Sequence, residues 1–212
     1  IPSWHTCVNR VIPIAFRRLR KTPIRSLLGC EWRAFRQQLR QEKYDLIIDA
    51  QGLMKSALMA VLAKGVRAGL DQQSARESLA GYCYSQKYAI DPSQHAVLRT
   101  RLLFAKALGY ALPKTPADYR IDRTQFPGRY EKPYFIFLHG TTWATKCWPE
   151  AYWIALAEIA EKNQQQVYLP WGNETEKKRA ERIAAGKSTA CVLPRLSLPE
   201  VTAVIAHAKA GV

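Results

Sequence analysis

The stretch YDLIIDAQGLMKSALMAVLAKGVRAGL, residues 44–70, decides the fold. Residues 44–49 form the apolar run of a buried strand, and Gly52 follows in a turn. Residues 53–63 have the composition of a helix, and residues 66–70 that of a second strand. A strand, a helix and a strand in this order predict a βαβ unit with two parallel strands.

The alternation of strands and helices continues along the chain. A helix over residues 98–108 is predicted to end at Gly109, since glycine is a common helix C-cap. Residues 111–131 are rich in proline and polar residues and show no sustained period, which favours a domain boundary near residue 120. Beyond it, strands are predicted at 134–139, 166–170 and 191–193, helices at 149–162, 174–185 and 197–207, and the start of a strand at 208–212.

This pattern predicts an α/β fold with two parallel-sheet domains, residues 1–120 and 121–212. In open α/β sheets ligands bind beyond the carboxyl ends of the strands. Side chains that follow the strands are therefore the first candidates for a functional site.

The composition is that of a globular protein without a membrane span. Of the 212 residues, 48% are hydrophobic and 23% are charged, so a substantial core can form. No apolar run approaches the roughly 20 residues that cross a bilayer, and no signal peptide is recognised. The five cysteines are odd in number and lack CxxC spacing, which predicts neither a zinc site nor a disulfide framework and favours a reduced, cytoplasmic compartment.

The charge of the chain is unusual. An excess of 32 Lys and Arg over 17 Asp and Glu gives a formal net charge of +15, which predicts a polyanionic partner. Nucleic acid, an anionic membrane face and a phosphorylated substrate all meet this condition, and charge alone does not distinguish them.

The richest candidate segment follows the strand predicted at 134–139. Thr141 and Thr142 come after a glycine, and Lys146 precedes a helix that begins near Pro149. Backbone N–H groups at such a turn, with two hydroxyls and an ammonium, suit a phosphate group. A polar loop with one solvated lysine is the alternative, and the spacing leaves both open.

A second candidate, Glu176, follows the strand predicted at 166–170. A carboxylate at this place can accept two hydrogen bonds from a ribose diol, as in many nucleotide sites. Asn173, three residues earlier, makes a helix capping box the more common use of the same spacing. The residues alone leave both interpretations open.

A third candidate is a basic stretch with interleaved apolar residues. Its cluster at 17–21 is followed by arginines at positions 25, 33, 36 and 40. A basic amphipathic segment suits phosphates or anionic lipid, and a solvated helix face is the alternative.

Several enzyme signatures are absent from the sequence. Residues 49–56 lack the GxxxxGK[ST] spacing of a nucleoside-triphosphate loop, and no GxSxG, HExxH or DxD element occurs. Without paired carboxylates for a cation, a metal-dependent sugar transferase is not expected. The sequence therefore predicts no metal site and no cofactor.

Segments along the whole chain resemble the ADP-heptose glycosyltransferases, a family of heptosyltransferases with the GT-B fold. Each segment alone is weak, but their order and spacing are specific. The resemblance implies two Rossmann-like domains, both incomplete in this chain because the first strand would precede residue 1 and the end of the second domain would follow residue 212. It rests on residues 1–4, 11–13, 48–53, 55–56, 75–77, 94–97, 104–106, 108–110, 137–139, 141–142, 146, 148–150 and 169–172.

The resemblance implies an inverting, metal-independent transfer of L-glycero-D-manno-heptose from ADP-heptose. Domain 121–212 would bind this donor, with Thr141 and Thr142 along the diphosphate and Glu176 on the ribose. Lys146 would be the catalytic group that stabilises the diphosphate charge.

Domain 1–120 would bind the acceptor, which the resemblance implies to be the Kdo of Kdo₂-lipid A. The acceptor places the protein at the cytoplasmic face of the bacterial inner membrane, as a peripheral protein with the anionic surface as a further partner. The implied acceptor-binding residues are Arg17, Arg18, Arg20, Lys21, Arg76 and His95.

The general base of the family, an Asp, would lie upstream of residue 1. The chain is therefore expected to be a piece truncated at both ends, and to be inactive alone. The alternatives are a heptosyltransferase with a heptose acceptor, a phosphate- or lipid-binding remnant without catalysis, and a basic nucleic-acid-binding protein with steeply salt-dependent binding. No nucleic-acid-reading module is recognised, so a nucleic-acid partner is not expected.

Overall fold

The computed structural model describes residues 2–14 and 29–212, and the chain divides into two compact units, Ile1–Arg120 and Ile121–Val212. Each unit carries a parallel sheet with helices, which confirms the predicted α/β class. Four of the predicted acceptor-binding residues lie outside the described residues, and their assignment stays a prediction: Arg17, Arg18, Arg20 and Lys21.

The first unit is built on a three-stranded parallel sheet of order β1-β2-β3. The βαβ unit predicted from the sequence is confirmed. The third strand was not predicted, because its three residues, Gln86–Tyr88, are short and also lack an apolar run. The elements are α1 (Cys30–Leu39), β1 (Lys43–Asp49), α2 (Met54–Leu62), β2 (Lys64–Leu70), β3 (Gln86–Tyr88) and α3 (Ala96–Leu108), with 3₁₀ helices at Pro2–Trp4 and Ser78–Cys83.

A buried polar pair fixes the carboxyl end of β1. Asp49 is buried, and its Oδ2 accepts a hydrogen bond of 2.7 Å from the Tyr84 hydroxyl. Its Oδ1 accepts from the Gln51 backbone N–H at 2.8 Å. Burial and the neighbouring carboxylate raise the pKa of Tyr84. A Cβ at Gly69 would lie 2.4 Å from the Tyr84 ring, so β2 passes beneath this ring only with glycine at that position.

The second unit is a four-stranded parallel sheet of order β6-β5-β4-β7. The strand predicted at 134–139 is regular only over Tyr134–Ile136. Its neighbours still accept hydrogen bonds beyond this point, from the Phe137 N–H at 3.0 Å and from the Leu138 N–H at 2.8 Å. The elements are β4 (Tyr134–Ile136), α4 (Glu150–Lys162), β5 (Gln166–Leu169), α5 (Glu174–Ala184), β6 (Ala190–Val192), α6 (Leu198–Ala206) and β7 (Ala210–Gly211), with 3₁₀ helices at Arg123–Gln125 and Ala144–Lys146.

Strand β4 divides the core of the second unit into two clusters, because successive side chains of a strand point to opposite faces. Tyr134 and Ile136 pack with Val204 of α6 in one cluster, and the Tyr134 hydroxyl donates to the Val204 carbonyl at 2.7 Å. Phe137 packs with Trp153 of α4 in the other cluster, which includes residues of β5 and α5. The two clusters fix the carboxyl ends of β4 and β5 from both faces.

Two predicted helix boundaries are confirmed. Gly109 follows α3 with a φ of 71°, in the left-handed region that glycine adopts without strain. Glu200 accepts from the Ser197 N–H at 2.8 Å and from its hydroxyl at 2.7 Å at the start of α6. Within residues 2–14 and 29–212, no helix combines the length and the apolar character needed to cross a membrane.

We expect Tyr84→Phe to lower the free energy of unfolding by about 1–3 kcal/mol, because it leaves the buried Asp49 carboxylate without its hydroxyl donor. Tyr88→Phe is the matched control, since the Tyr88 hydroxyl bonds Gln86 in an exposed setting. Urea unfolding of both variants measures the difference. Equal losses in the two variants would show that the buried pair is not special.

Candidate functional site

Residues 139–149, between β4 and α4, form a loop that we name the donor loop after the sugar-nucleotide donor expected to bind there. It closes on itself, with the Cys147 Sγ 4.0 Å from the Thr141 carbonyl oxygen and a 3₁₀ helix over Ala144–Lys146. Thr141, Thr142 and Lys146 are exposed at the carboxyl edge of the sheet. Within the part of the chain that the structure describes, the side chains of these three residues make no hydrogen bond. Their hydroxyls and ammonium are therefore open to a ligand.

Glu176 lies in the first turn of α5 and joins two loops. Its Oε2 accepts a hydrogen bond of 2.7 Å from the Gly172 N–H, in the loop after β5. A Cβ at Gly140 would lie 2.7 Å from its carboxylate carbon, so the carboxylate also touches the beginning of the donor loop. The carboxylate therefore bridges the loops that leave two neighbouring parallel strands.

Only one of the two hydrogen bonds of the capping box that the sequence suggested for α5 is formed. Asn173 accepts from the Glu176 N–H at 3.0 Å, as a cap does. The Glu176 carboxylate accepts no hydrogen bond from the Asn173 N–H and accepts one from the Gly172 N–H, one residue earlier. Its Oε1 has no hydrogen-bond partner among the described residues and is free to accept from a ligand hydroxyl. The cap and a ligand-binding role are thus compatible.

His139 begins the donor loop and is 2% exposed. Its ring packs edge-on against Trp153, and neither ring nitrogen meets a hydrogen-bond partner among the described residues. Burial and the positive charge of Arg179 lower the pKa of His139, and the neighbouring carboxylates of Glu176 and Glu150 oppose this shift. The imidazole is therefore held neutral beneath the loop.

Three charged side chains connect the donor loop to α5. Arg179 donates to the His139 carbonyl at 3.2 Å and lies 3.7 Å from the Glu150 carboxylate, at the first residue of α4. Arg182 makes two hydrogen bonds to the same carboxylate, at 2.6 Å and 2.7 Å. The hydrogen bond from Arg182 holds the pKa of Glu150 below its usual value.

The loop after β5 is fixed by Trp171. Its indole N–H donates to the Leu193 carbonyl at 2.6 Å, at the end of β6, and the Lys177 ammonium lies 5.4 Å from its ring centroid. This contact holds the segment that contains Gly172 and so fixes the donor of the hydrogen bond to Glu176.

The first unit has a cavity of about 500 Å³ beyond the carboxyl ends of β1 and β2. Its lining includes Gln51, the exposed Arg76 and the half-buried Arg99. Arg99 donates to the Ser74 carbonyl at 2.6 Å, while its buried Nε has no partner among the described residues. Two guanidinium groups in one cavity suit an anionic ligand. The sequence analysis missed Arg99, although it lies one helical turn after His95.

His95 does not line this cavity. Its Nδ1 accepts a hydrogen bond of 3.3 Å from the Val97 N–H, and the residue caps α3. The neighbouring Ala96 lines the cavity instead. The structure therefore gives His95 a structural contact and brings Arg76, but not the His95 ring, to the cavity.

The described residues bring no three His, Cys, Asp or Glu side chains together in a metal-binding cluster.

The buried His139 generates a pH prediction. Its pKa lies below the ordinary 6.5 in the folded state, so the unfolded chain binds the proton more readily. Above about pH 6.5 the ring is neutral in both the folded and the unfolded chain, and His139 does not lower the free energy of unfolding. As the pH falls from there toward the lower, folded-state pKa, the unfolded chain takes up a proton first, and the free energy of unfolding decreases.

The free energy of unfolding of the unchanged chain should decrease between about pH 8 and about pH 5.5, and we expect this decrease to be smaller in His139→Phe. Urea unfolding at the two pH values measures it. His95→Asn is the control, because it removes an exposed imidazole and keeps a side chain that caps α3. A pH dependence identical in His139→Phe and the unchanged chain would contradict the assignment.

Two curated proteins are similar to this chain over nearly all of its length. Lipopolysaccharide heptosyltransferase 1 of Pseudomonas aeruginosa is 52% identical over 100% of this chain and 60% of its own length. Lipopolysaccharide heptosyltransferase 1 of Escherichia coli K12 is 47% identical over 99% of this chain and 66% of its own length. The chain thus spans 60% and 66% of the lengths of these two curated relatives.

The solved structure of E. coli heptosyltransferase WaaC with ADP-2-deoxy-2-fluoro heptose matches with a TM-score of 0.93 and 46% identity, over 100% of this chain and 68% of that chain. The expected GT-B type of α/β fold is confirmed for the part that the chain covers. The model of glycosyltransferase family 9 (heptosyltransferase) matches residues 32–212. The chain belongs to this family of heptosyltransferases.

Proposed function

We propose that this protein transfers L-glycero-D-manno-heptose from ADP-heptose to the Kdo of Kdo₂-lipid A, in the synthesis of the lipopolysaccharide inner core. The names of the two curated relatives and the ADP-heptose analogue bound to WaaC support this. The observation that carries the proposal is the Glu176 carboxylate. It bridges the loops after β4 and β5 with one oxygen free, beside exposed Thr141, Thr142 and Lys146.

On this proposal the second unit, residues 121–212, is the nucleotide-sugar domain. The free Oε1 of Glu176 accepts hydrogen bonds from the ribose hydroxyls of the donor. Thr141 and Thr142 line the diphosphate, and Lys146 neutralises it. The arrangement fits a nucleotide at the carboxyl edge of a parallel sheet, where such ligands bind.

The chemistry is a single displacement with inversion. The acceptor hydroxyl attacks the anomeric carbon as the bond from that carbon to the diphosphate oxygen breaks, and ADP departs with the electron pair. A general base takes the hydroxyl proton. Negative charge develops on the departing oxygen, so the Lys146 ammonium contributes most in the transition state. The proposed reaction uses no metal ion, and the Lys146 ammonium neutralises the diphosphate charge that a metal ion would otherwise neutralise.

The first unit, residues 1–120, is proposed as the acceptor domain. A carboxylate or phosphate of the acceptor would bind in the cavity that Arg76 and Arg99 line, where the buried Nε of Arg99 is an unused donor. Arg17, Arg18, Arg20, Lys21 and His95 stay in this proposal on the family resemblance alone.

We propose a peripheral position at the cytoplasmic face of the inner membrane. Arg33 and Arg36 are exposed on α1, and Arg40 is exposed immediately after its last residue; at this helical spacing the three form one basic face. Clustered basic side chains on a helix attract anionic headgroups. The net charge of +15 adds a longer-range attraction of the same sign.

Binding of ADP is the first test of the proposal. We expect Lys146→Ala to weaken ADP binding about ten- to a hundredfold, the size of a lost charge-assisted hydrogen bond. Glu176→Gln should weaken it about tenfold, because the amide donates where the carboxylate accepts. Isothermal titration calorimetry measures both. Lys178→Ala, an exposed lysine on α5, is the control. An unchanged affinity in Lys146→Ala would refute the donor assignment.

The identity of the acceptor distinguishes the proposed function from its alternatives. The whole protein, with ADP-heptose as donor, is expected to modify Kdo₂-lipid A and not an acceptor that already carries heptose. Arg76→Gln should raise the acceptor KM about tenfold and leave the donor KM unchanged, while the exposed Lys114→Gln changes neither. Transfer to the heptosylated acceptor alone would favour a heptosyltransferase II, and salt-dependent binding to DNA of any sequence would favour the nucleic-acid alternative.

A further inference from the structure

One face of helix α5 contacts both ends of the donor loop. Glu176, Arg179 and Arg182 are spaced three residues apart, so their side chains lie in a row along the helix. Glu176 contacts Gly140, and Arg179 donates to the His139 carbonyl, both at the start of the loop. Arg179 and Arg182 meet the Glu150 carboxylate immediately after the loop ends.

The two arginines are not equivalent. The Arg182 side chain is 57% exposed and bonds Glu150 alone, whereas the Arg179 side chain is 27% exposed and reaches both ends of the loop. Arg179 is therefore the residue that ties the His139 carbonyl at one end to the Glu150 carboxylate at the other. The middle of the loop, with its hydroxyls and ammonium, has no comparable support within the described residues.

We propose that Arg179 and Glu150 form a positioning pair for the phosphate-binding residues of the donor loop. This inference rests on the proposed function, because it takes the loop to be the diphosphate site. The pair fixes the separation of the loop ends and so places Lys146 for the diphosphate. Fixing a loop before binding removes an ordering cost that the ligand would otherwise meet. Arg179 acts through the loop backbone and does not touch the donor.

The test is the affinity of the 212-residue chain for ADP, measured by isothermal titration calorimetry, with thermal unfolding as the check on folding. Arg179→Gln is expected to weaken ADP binding about tenfold. Arg179→Lys keeps one donor for one of the two partners and should recover part of this loss. Lys178→Gln, a control that removes an exposed cation from the same helix, should change the affinity less than about twofold.

A double-mutant cycle separates positioning from general damage. If Arg179 acts by placing Lys146, then in a Lys146→Ala background the effect of Arg179→Gln should shrink to less than about twofold. A purely structural loss would weaken binding by the same factor in both backgrounds.

Each possible result of these measurements either supports or overturns the inference. Coupling between positions 179 and 146, with the ADP affinity of Lys178→Gln unchanged, supports the inference. Equal affinities in Arg179→Gln and the unchanged chain, equal losses in Arg179→Gln and Lys178→Gln, or a full effect in the Lys146→Ala background would overturn it and leave the proposed function standing. Absence of ADP binding by the unchanged chain would overturn both.

Discussion

The donor side of this protein depends on where one carboxylate is placed. Glu176 joins the loop after β5, through the Gly172 N–H, to the loop after β4, through its contact with Gly140. Parallel pairing of the two strands brings the loops to the same edge, but it does not connect them. The first turn of α5 supplies the connection, and this is possible because position 140 has no side chain.

The acidic side chains near the two candidate sites are largely used to hold backbone and arginine groups. In the first unit, Glu77 accepts from the Met54 N–H at 2.6 Å, and Asp49 binds Tyr84 and the Gln51 N–H. In the second unit, Glu150 engages two arginines. Two of the cations that would meet a ligand, Lys146 and Arg76, are exposed. The excess of positive charge is thus presented outward, where an anionic substrate or surface can use it.

Much of this could be predicted from the sequence, and the failures have physical causes. The βαβ unit, the restart of the pattern after residue 131 and the helix signals at Gly109 and Ser197 are local, so a sequence pattern contains them. Strand β3 is three residues long and carries no period. The role of His95 as a cap and the bond from Glu176 to Gly172 depend on backbone geometry that spacing does not specify.

The candidate site residues also divide into those with a local sequence signal and those whose signal depends on the tertiary structure. Thr141, Thr142, Lys146 and Glu176 follow strands and could be selected as such, and their functional roles stay proposals. Arg99 was missed because its signal is tertiary: a buried, unpaired Nε becomes visible only when α3 packs on the sheet. Arg179 was missed because two of its contacts lie far away in sequence, at residues 139 and 150.

The fit of Tyr84 over Gly69 has a consequence for protein engineering. The ring occupies the space that any side chain on β2 would need at that position, and its hydroxyl bonds the end of β1. A chimera that imports β2 from a distant relative inherits a mismatch unless the segment around Tyr84 travels with it. The smallest exchangeable module in the first unit is therefore the block from β1 through Tyr84, and a single strand is not interchangeable.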